Sequence, residues 1–306
     1  MEQSNLGRII KGVGGLYQVK LPGQDTPVAC RAKGAFRHEN LTPLVGDTVS
    51  LEFDPSTGDA MISDISERKN ALIRPPLANL DYMFVTLAAA KPQPVLETVD
   101  KLICILEHHR ITPVIVVTKY DANPTYAEEL YALYKNAGFD TFCTCSKDGY
   151  GVDALREYVQ KSCEGSISAF AGASGVGKST LLNALFPALE LQTSEISRKI
   201  ERGRHTTRTV ELFPMPGTEH GYIADTPGFS MLDFARFNFF TKEDLPLTMR
   251  EFAPHLGSCR FTKCSHTKEQ GCAILEAVKR GEIAKSRHDS FVAIYDVLKN
   301  KHEWDN

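Results

Sequence analysis

The octapeptide Gly172-Ala173-Ser174-Gly175-Val176-Gly177-Lys178-Ser179 constrains the fold more than any other stretch of this 306-residue chain. It has the form G-x-x-x-x-G-K-[ST], which average residue usage would produce in about one chain in a hundred of this length, so a chance Gly-rich turn is a weak explanation. The run Ser166-Ile167-Ser168-Ala169-Phe170 before it reads as a buried strand, and Lys178-Ser179-Thr180-Leu181-Leu182-Asn183-Ala184-Leu185 reads as the opening of a helix. In a strand, glycine turn and helix, successive backbone N–H groups point into one concavity at a helix N-terminus, where partial positive charge favours phosphate. Residues 172–180 are therefore expected to cradle a nucleotide, with Lys178 reaching the β- and γ-phosphates and the Ser179 hydroxyl ligating Mg²⁺.

Thr118-Lys119-Tyr120-Asp121 matches [NT]-K-x-D, a pattern common enough to arise in about one chain in ten of this size. Its setting adds weight. It closes the apolar run Pro113-Val114-Ile115-Val116-Val117, which reads as a strand buried on both faces, and ligands bind at the carboxyl ends of such strands. Asp121 can accept from the N1–H and exocyclic amine of guanine, donors that adenine does not offer in that arrangement, while Lys119 is expected to lie along the base plane. A further strand over 141–145 leads into Ser146-Lys147-Asp148-Gly149-Tyr150-Gly151, similar to the S-A-x-x-G-x-G loop that touches guanine O6, with Cys145 at the usual serine position. Ser146 and Lys147 join the expected base contacts; an ordinary strand-to-helix turn is the alternative. The guanine-type motif precedes the phosphate loop, the reverse of ordinary GTPases, so the chain resembles a circularly permuted GTPase.

Two switch-like segments follow. Asp225-Thr226-Pro227-Gly228 ends the strand-like Gly221-Tyr222-Ile223-Ala224 and matches D-x-x-G, in which Asp225 reaches Mg²⁺ through water and the Gly228 N–H meets the γ-phosphate. Before it, Gly203-Arg204-His205-Thr206-Thr207-Arg208 is polar and basic without apolar periodicity, and one threonine, with Thr207 preferred over Thr206, is expected to ligate Mg²⁺. Phe229 stands where many GTPases keep the glutamine that orients the attacking water. His205 is the nearest substitute for that role, the alternative being a solvent- or RNA-facing loop residue.

The flanks differ in character. From Gly7 to about Ile65, short strand-like runs separated by Gly14-Gly15, Pro22-Gly23, Asn40 and Gly46-Asp47 suit a small β-barrel, of which the OB-fold is a common nucleic-acid-binding form. Strands and helices then alternate, with one helix reaching about Arg110 and another covering Tyr126 to Asn136, which implies a mostly parallel sheet covered by helices. Beyond Phe234, Cys259, Cys264, His266 and Cys272 are spaced C-x4-C-x-H-x5-C, the ligand inventory of a closed, structural zinc site. The remaining cysteines, Cys30, Cys104, Cys143, Cys145 and Cys163, read as reduced core residues. With a polar start and no apolar run long enough to cross a bilayer, they point to the cytoplasm.

The net charge of −3 does not itself suggest an RNA binder, but its distribution offers candidate phosphate contacts. Arg8, Lys11, Lys20, Arg31, Lys33 and Arg37 enrich the barrel; Arg198, Lys199, Arg202, Arg204 and Arg208 crowd the first switch; Lys279, Arg280, Lys285 and Arg287 lie near the end. For any single one of them, a solvated surface charge is the simpler reading. Phe291, Ile294, Tyr295 and Leu298 fall at helical spacing and are expected to pack onto the zinc-binding part.

Pro43-Leu44-Val45-Gly46-Asp47, Arg74-Pro75-Pro76-Leu77-Ala78-Asn79-Leu80-Asp81, Gly203-Arg204-His205-Thr206-Thr207, the permuted motif order and the cysteine cluster together resemble the RsgA (YjeQ) family of small-ribosomal-subunit-dependent GTPases over essentially the whole length. The resemblance implies an OB-fold over 1–70, a circularly permuted GTPase domain over 71–234 and a mainly helical zinc-binding domain over 235–306. It also implies GTP and GDP as ligands, Mg²⁺ and one structural Zn²⁺ as metals, and the small ribosomal subunit with its rRNA as partner, with no membrane and a monomeric state. A P-loop NTPase acting on another RNA or ribonucleoprotein is the alternative.

Overall fold

The computed structural model describes residues 5–34, 36, 41–72, 76–187, 210–225 and 240–300. They form two compact units: Met1–Tyr82 with Glu157–Phe170 and Phe186–Phe229, and Met83–Arg156 with Ala171–Leu185 and Ser230–Asn306.

The first unit opens with β1 (Leu6–Val13), β2 (Leu16–Lys20), β3 (Val28–Ala32), β4 (Thr48–Phe53) and β5 (Ala60–Ile65). Their order is β1-β2-β3-β5-β4, and β4 pairs back onto β1 with Gly7 opposite Val49, so the sheet closes into a five-stranded barrel of the OB-like kind. Side chains alternate across the wall as a pleated strand requires, and Ile9, Val19, Val49, Leu51 and Ile62 fill the interior. The buried Asp47 carboxylate accepts from the Leu44 N–H and from Nε and Nη2 of Arg68, each at 2.7 Å, which anchors the turn into β4. Two short strands, β6 (Ala71–Leu72) and β7 (Leu77–Ala78), pair antiparallel beyond the barrel. Here the Asn79 amide donates to the Gly46 carbonyl at 3.0 Å, and Asn70 exchanges two bonds with Leu80.

In the second unit, β8 (Tyr82–Ala88), β9 (Thr112–Thr118) and β10 (Asp140–Cys143) lie in the order β10-β9-β8, with β10 parallel to β9. Val114, Ile115, Val116 and Val117 are completely buried, as expected of a parallel strand covered on both faces. Helices α1 (Leu96–His108) and α2 (Pro124–Asn136) provide the crossovers. Helix α1 stops before Arg110 because Arg110 adopts a left-handed conformation (φ 57°). There the Arg110 and Ile111 N–H groups close a Schellman motif on Glu107 and Leu106. Helix α2 starts at Pro124 rather than Tyr126, since the Asn123 side chain accepts from the Tyr126 N–H and proline takes the first helical turn. Helix α3 (Val152–Ser162) follows.

Three further strands complete the first unit. β11 (Ile167–Ala171) runs parallel to β13 (Tyr222–Asp225), and β12 (Glu211–Pro214) pairs antiparallel with β13 and with β1. The Asp81 carboxylate accepts from the Ile167 N–H at 3.0 Å, pinning the start of β11. Helix α4 (Lys178–Leu185) belongs to the second unit and follows the glycine-rich turn.

The C-terminal region is helical, with α5 (Ala273–Arg280), α6 (Lys285–Lys299) and two 3₁₀ segments, Leu245–Thr248 and Arg250–His255. Leu245, Met249, Phe252, Cys272, Ile274, Phe291 and Ile294 form one core with Cys104 of α1, and Tyr295 and Leu298 pack against it. The apolar stripe of α6 thus meets both the cysteine-bearing segment and α1. Arg287 departs from its reading as a phosphate contact. Its side chain is buried, with Nη1 bonding Asp100 Oδ1 at 2.5 Å and Nε bonding Glu251 Oε1 at 2.7 Å. It lies four residues before Phe291 on the same helical face, so it enters the core and must carry its counter-charges with it. Lys279, Arg280 and Lys285 are exposed and paired with Glu276, Glu282 and Asp289.

Candidate nucleotide site and metal centre

The phosphate loop hangs between the end of β11 and the start of α4. At Gly172 a Cβ would stand 2.6 Å from the Thr86 carbonyl oxygen, so only glycine lets the loop leave the sheet so close to β8. Val176 is buried, Ala173, Gly177 and Ser179 are half-buried, and Ser174, Gly175 and Thr180 face solvent. The Lys178 ammonium folds over the loop, donating to Gly172 O at 2.7 Å and Ala173 O at 3.0 Å. Burial lowers the Lys178 pKa from its ordinary value, leaving a cation whose charge an anionic ligand would stabilise.

The 118–121 motif is physically joined to that loop. The Thr118 hydroxyl lies 2.6 Å from Val176 O and 3.0 Å from Leu87 O. Lys119, held at φ 58°, sends its ammonium to Gly175 O at 2.7 Å and Lys91 O at 2.6 Å. Residues 56 and 58 positions apart in sequence therefore share one rim, and the reversed motif order leaves their juxtaposition intact.

Asp121 faces solvent beside this rim and pairs with Lys147 at 2.6 Å. The Lys147 hydrogen bond, then the Cys145 thiol, hold its carboxyl below the usual carboxylate range. Cys145, at the usual serine position, is buried, and its thiol bonds the Asp121 carboxylate. Ser146 is half-buried at the start of the loop that carries Lys147. Gly151 closes that loop at φ 68°, where a Cβ would collide with the Cys143 carbonyl.

Tyr120 and Tyr150 occupy the variable positions of the two base-side motifs, so neither motif marks them. Their rings stack 4.3 Å apart with an interplanar angle of 23°. Spacing alone carried no signal for this pair. Among the switch residues, Asp225 is the last residue of β13, opposite Glu211. His205, Thr206, Thr207, Gly228, Phe229, Arg37 and the basic residues between 198 and 208 lie outside the described residues.

Cys259, Cys264, His266 and Cys272 bring one donor atom each to within 4.8 Å of one another. Zn–S bonds of about 2.3 Å and Zn–N bonds of about 2.0 Å imply tetrahedral edges of about 3.8 Å between sulfurs and about 3.5 Å from sulfur to nitrogen. Cys259 Sγ and Cys272 Sγ are 3.9 Å apart, and each lies 3.5 Å from His266 Nδ1. The donor set fits a four-coordinate zinc ion with no open position. Burial depresses the His266 pKa, favouring the neutral ligating imidazole. Surroundings brace it: the His288 ring nitrogen meets the His266 carbonyl at 2.8 Å, and Glu269 accepts from the N–H groups of Ser265, Thr267 and Lys268.

A family model described as the RsgA GTPase matches residues 65–235, and one described as the RsgA N-terminal domain matches residues 6–62. The chain belongs to the RsgA GTPase family. It is therefore a GTP hydrolase whose family implies guanine nucleotide and Mg²⁺. Proteins named "Small ribosomal subunit biogenesis GTPase RsgA" from Halalkalibacterium halodurans and Geobacillus sp. are each 39% identical. Those alignments cover 97% and 96% of this chain and 98% of either relative. YjeQ from Thermotoga maritima superposes with a TM-score of 0.81 at 31% identity, covering 97% of this chain and 99% of that one. YloQ, described as a circularly permuted GTPase, gives 0.75 at 34%, covering 98% and 96%. Among the described residues, no helix is long and apolar enough to cross a membrane.

Proposed function

We propose that this GTPase acts in biogenesis of the small ribosomal subunit: it binds the subunit through rRNA, and GTP hydrolysis is coupled to late maturation and to its own release. The observation that carries the nucleotide half is the joining of the guanine-type motif to the phosphate loop through Thr118 and Lys119. The ribosomal half draws support from the relatives' names.

In this reading Asp121 accepts from guanine, with Lys119, Ser146 and Lys147 lining the base, and Gly172 to Thr180 enclose the phosphates. Lys178 stabilises the charge that develops on the γ-phosphate during in-line attack by water. Ser179 and Thr207 would hold Mg²⁺, which would supply positive charge to offset that of the phosphates. Asp225 would reach Mg²⁺ through water, the Gly228 N–H meets the γ-phosphate, and His205 orients the attacking water because Phe229 offers it no hydrogen bond. We assign residues 1–70 to an RNA-binding barrel, 71–234 to the GTPase domain and 235–306 to a zinc-bearing domain. The switch runs nearly directly into the last of these, so loop ordering can reposition it relative to the barrel. A monomer in the cytoplasm fits this role.

GTP turnover with and without purified small subunits tests the coupling. Stimulation of at least about tenfold is expected, absent in Lys178→Ala and sharply reduced in His205→Ala. Equal turnover in both conditions contradicts it.

A further inference from the structure

Tyr120 and Tyr150 stack beside the candidate base-binding residues, one half-buried and the other exposed. Tyr120 packs at its base against Ala89, Val117, Ala127 and Leu130, and so inherits the rigidity of β8, β9 and α2. Tyr150 lies on top of it, 47% exposed, near the tip of the 145–151 loop. The root of that loop is fixed by backbone, with Thr144 N donating to Val117 O at 2.7 Å and Tyr120 N to Thr144 O at 3.3 Å. Toward the tip the clasps are side chains: the Lys147–Asp121 pair and the tyrosine stack. The two respond differently to a base. Guanine donors arriving at Asp121 compete with Lys147 for the same carboxylate, whereas the tyrosine stack offers them no acceptor carboxylate and is not in that competition. Hydrogen bonds to Tyr150 and then Glu128 raise the Tyr120 hydroxyl pKa to about 12, so its ring stays neutral over the working pH range.

We propose that the Tyr120–Tyr150 stack is a positioning device for base recognition: it docks the 145–151 loop onto the guanine motif and thereby sets how sharply Asp121 discriminates the 2-amino group. The proposal rests on the reading of Asp121 as the guanine acceptor. Tyr150 acts through Asp121 and makes no demand on the phosphates, so its loss changes discrimination more than it changes diphosphate binding.

The test is calorimetric affinity for GDP and for IDP, which differ only in that amino group, using the full chain. One hydrogen bond to a charged acceptor gives the wild-type protein a preference for GDP of about 10- to 100-fold. Tyr150→Ala should shrink this ratio by about three- to tenfold, the worth of an aromatic pair, with Tyr150→Leu behaving alike and Tyr150→Phe, which keeps the ring but loses the hydrogen bond to the Tyr120 hydroxyl, falling clearly closer to wild type than Ala does. Lys178→Ala should weaken both ligands and leave the ratio intact. A wild-type ratio in Tyr150→Ala and Tyr150→Leu overturns the proposal alone, as does a Phe variant as impaired as Ala. A wild-type protein that does not prefer GDP overturns the underlying reading of Asp121 and the proposal with it.

Discussion

The Thr118 hydroxyl lies 2.6 Å from the Val176 carbonyl oxygen, so the last residue of β9 holds the phosphate loop in place. Thr118 is buried, so the bond lies away from bulk solvent. Thr118→Val keeps the shape and removes the donor. GDP affinity should fall about three- to tenfold by titration calorimetry, the worth of one hydrogen bond of about 1 kcal/mol.

Lys178 should make nucleotide binding proton-linked at alkaline pH. Burial has lowered its free-state pKa from 10.5, and bound phosphate favours the charged form and raises it again. Affinity should therefore be flat below the depressed pKa and fall as pH rises through it, with net proton uptake on binding. Calorimetry in buffers of different ionisation enthalpy reads that uptake, and Lys178→Ala should abolish it while lowering kcat about 100-fold or more.

The buried Arg287 bridges α6, Asp100 of α1 and Glu251, with Tyr134 of α2 donating to the same Asp100 oxygen at 3.1 Å. Arg287→Met keeps much of the volume but leaves two carboxylates in the core without their cation. Urea unfolding should show a loss of about 3–5 kcal/mol. A loss under about 1 kcal/mol would mean that water reaches these groups.

Zinc should be present at about one ion per chain by elemental analysis and absent from Cys272→Ser. Cys272 lies in the same core as Phe252 and Phe291, so chelation should loosen α5 and α6 and lower the melting temperature of the C-terminal region.

Much of this was legible from residues alone where chemistry demands fixed types at fixed spacings. The glycines and lysine of 172–179 and the C-x4-C-x-H-x5-C cluster are constrained by a phosphate and by a tetrahedron, so their patterns survive any context. The buried position of Arg287 is not legible from its charge, which suggests a surface. The helical spacing it shares with Phe291 and Ile294 argued otherwise, but its partner carboxylates stand 187 and 36 residues away in sequence. Tyr120 and Tyr150 were passed over because they fill positions where the motifs accept any residue. Helix ends shifted by a residue or two where a cap decided them, as at Asn123 and Arg110. The barrel was visible as a spacing of strands and turns, while its closure through β1 and β4 depends on a pairing that local sequence does not encode.

The most direct measurement is competition binding of GDP and XDP to the wild-type protein and to Asp121→Asn. Xanthine carries an oxygen where guanine carries the 2-amino group, so an amide donor at 121 should suit xanthine as the carboxylate suits guanine. Asp121→Asn should lose about 10- to 100-fold in GDP affinity and come to prefer XDP, with Lys178 still required for both. Unchanged GDP affinity in that variant would contradict the shared pocket on which the account rests.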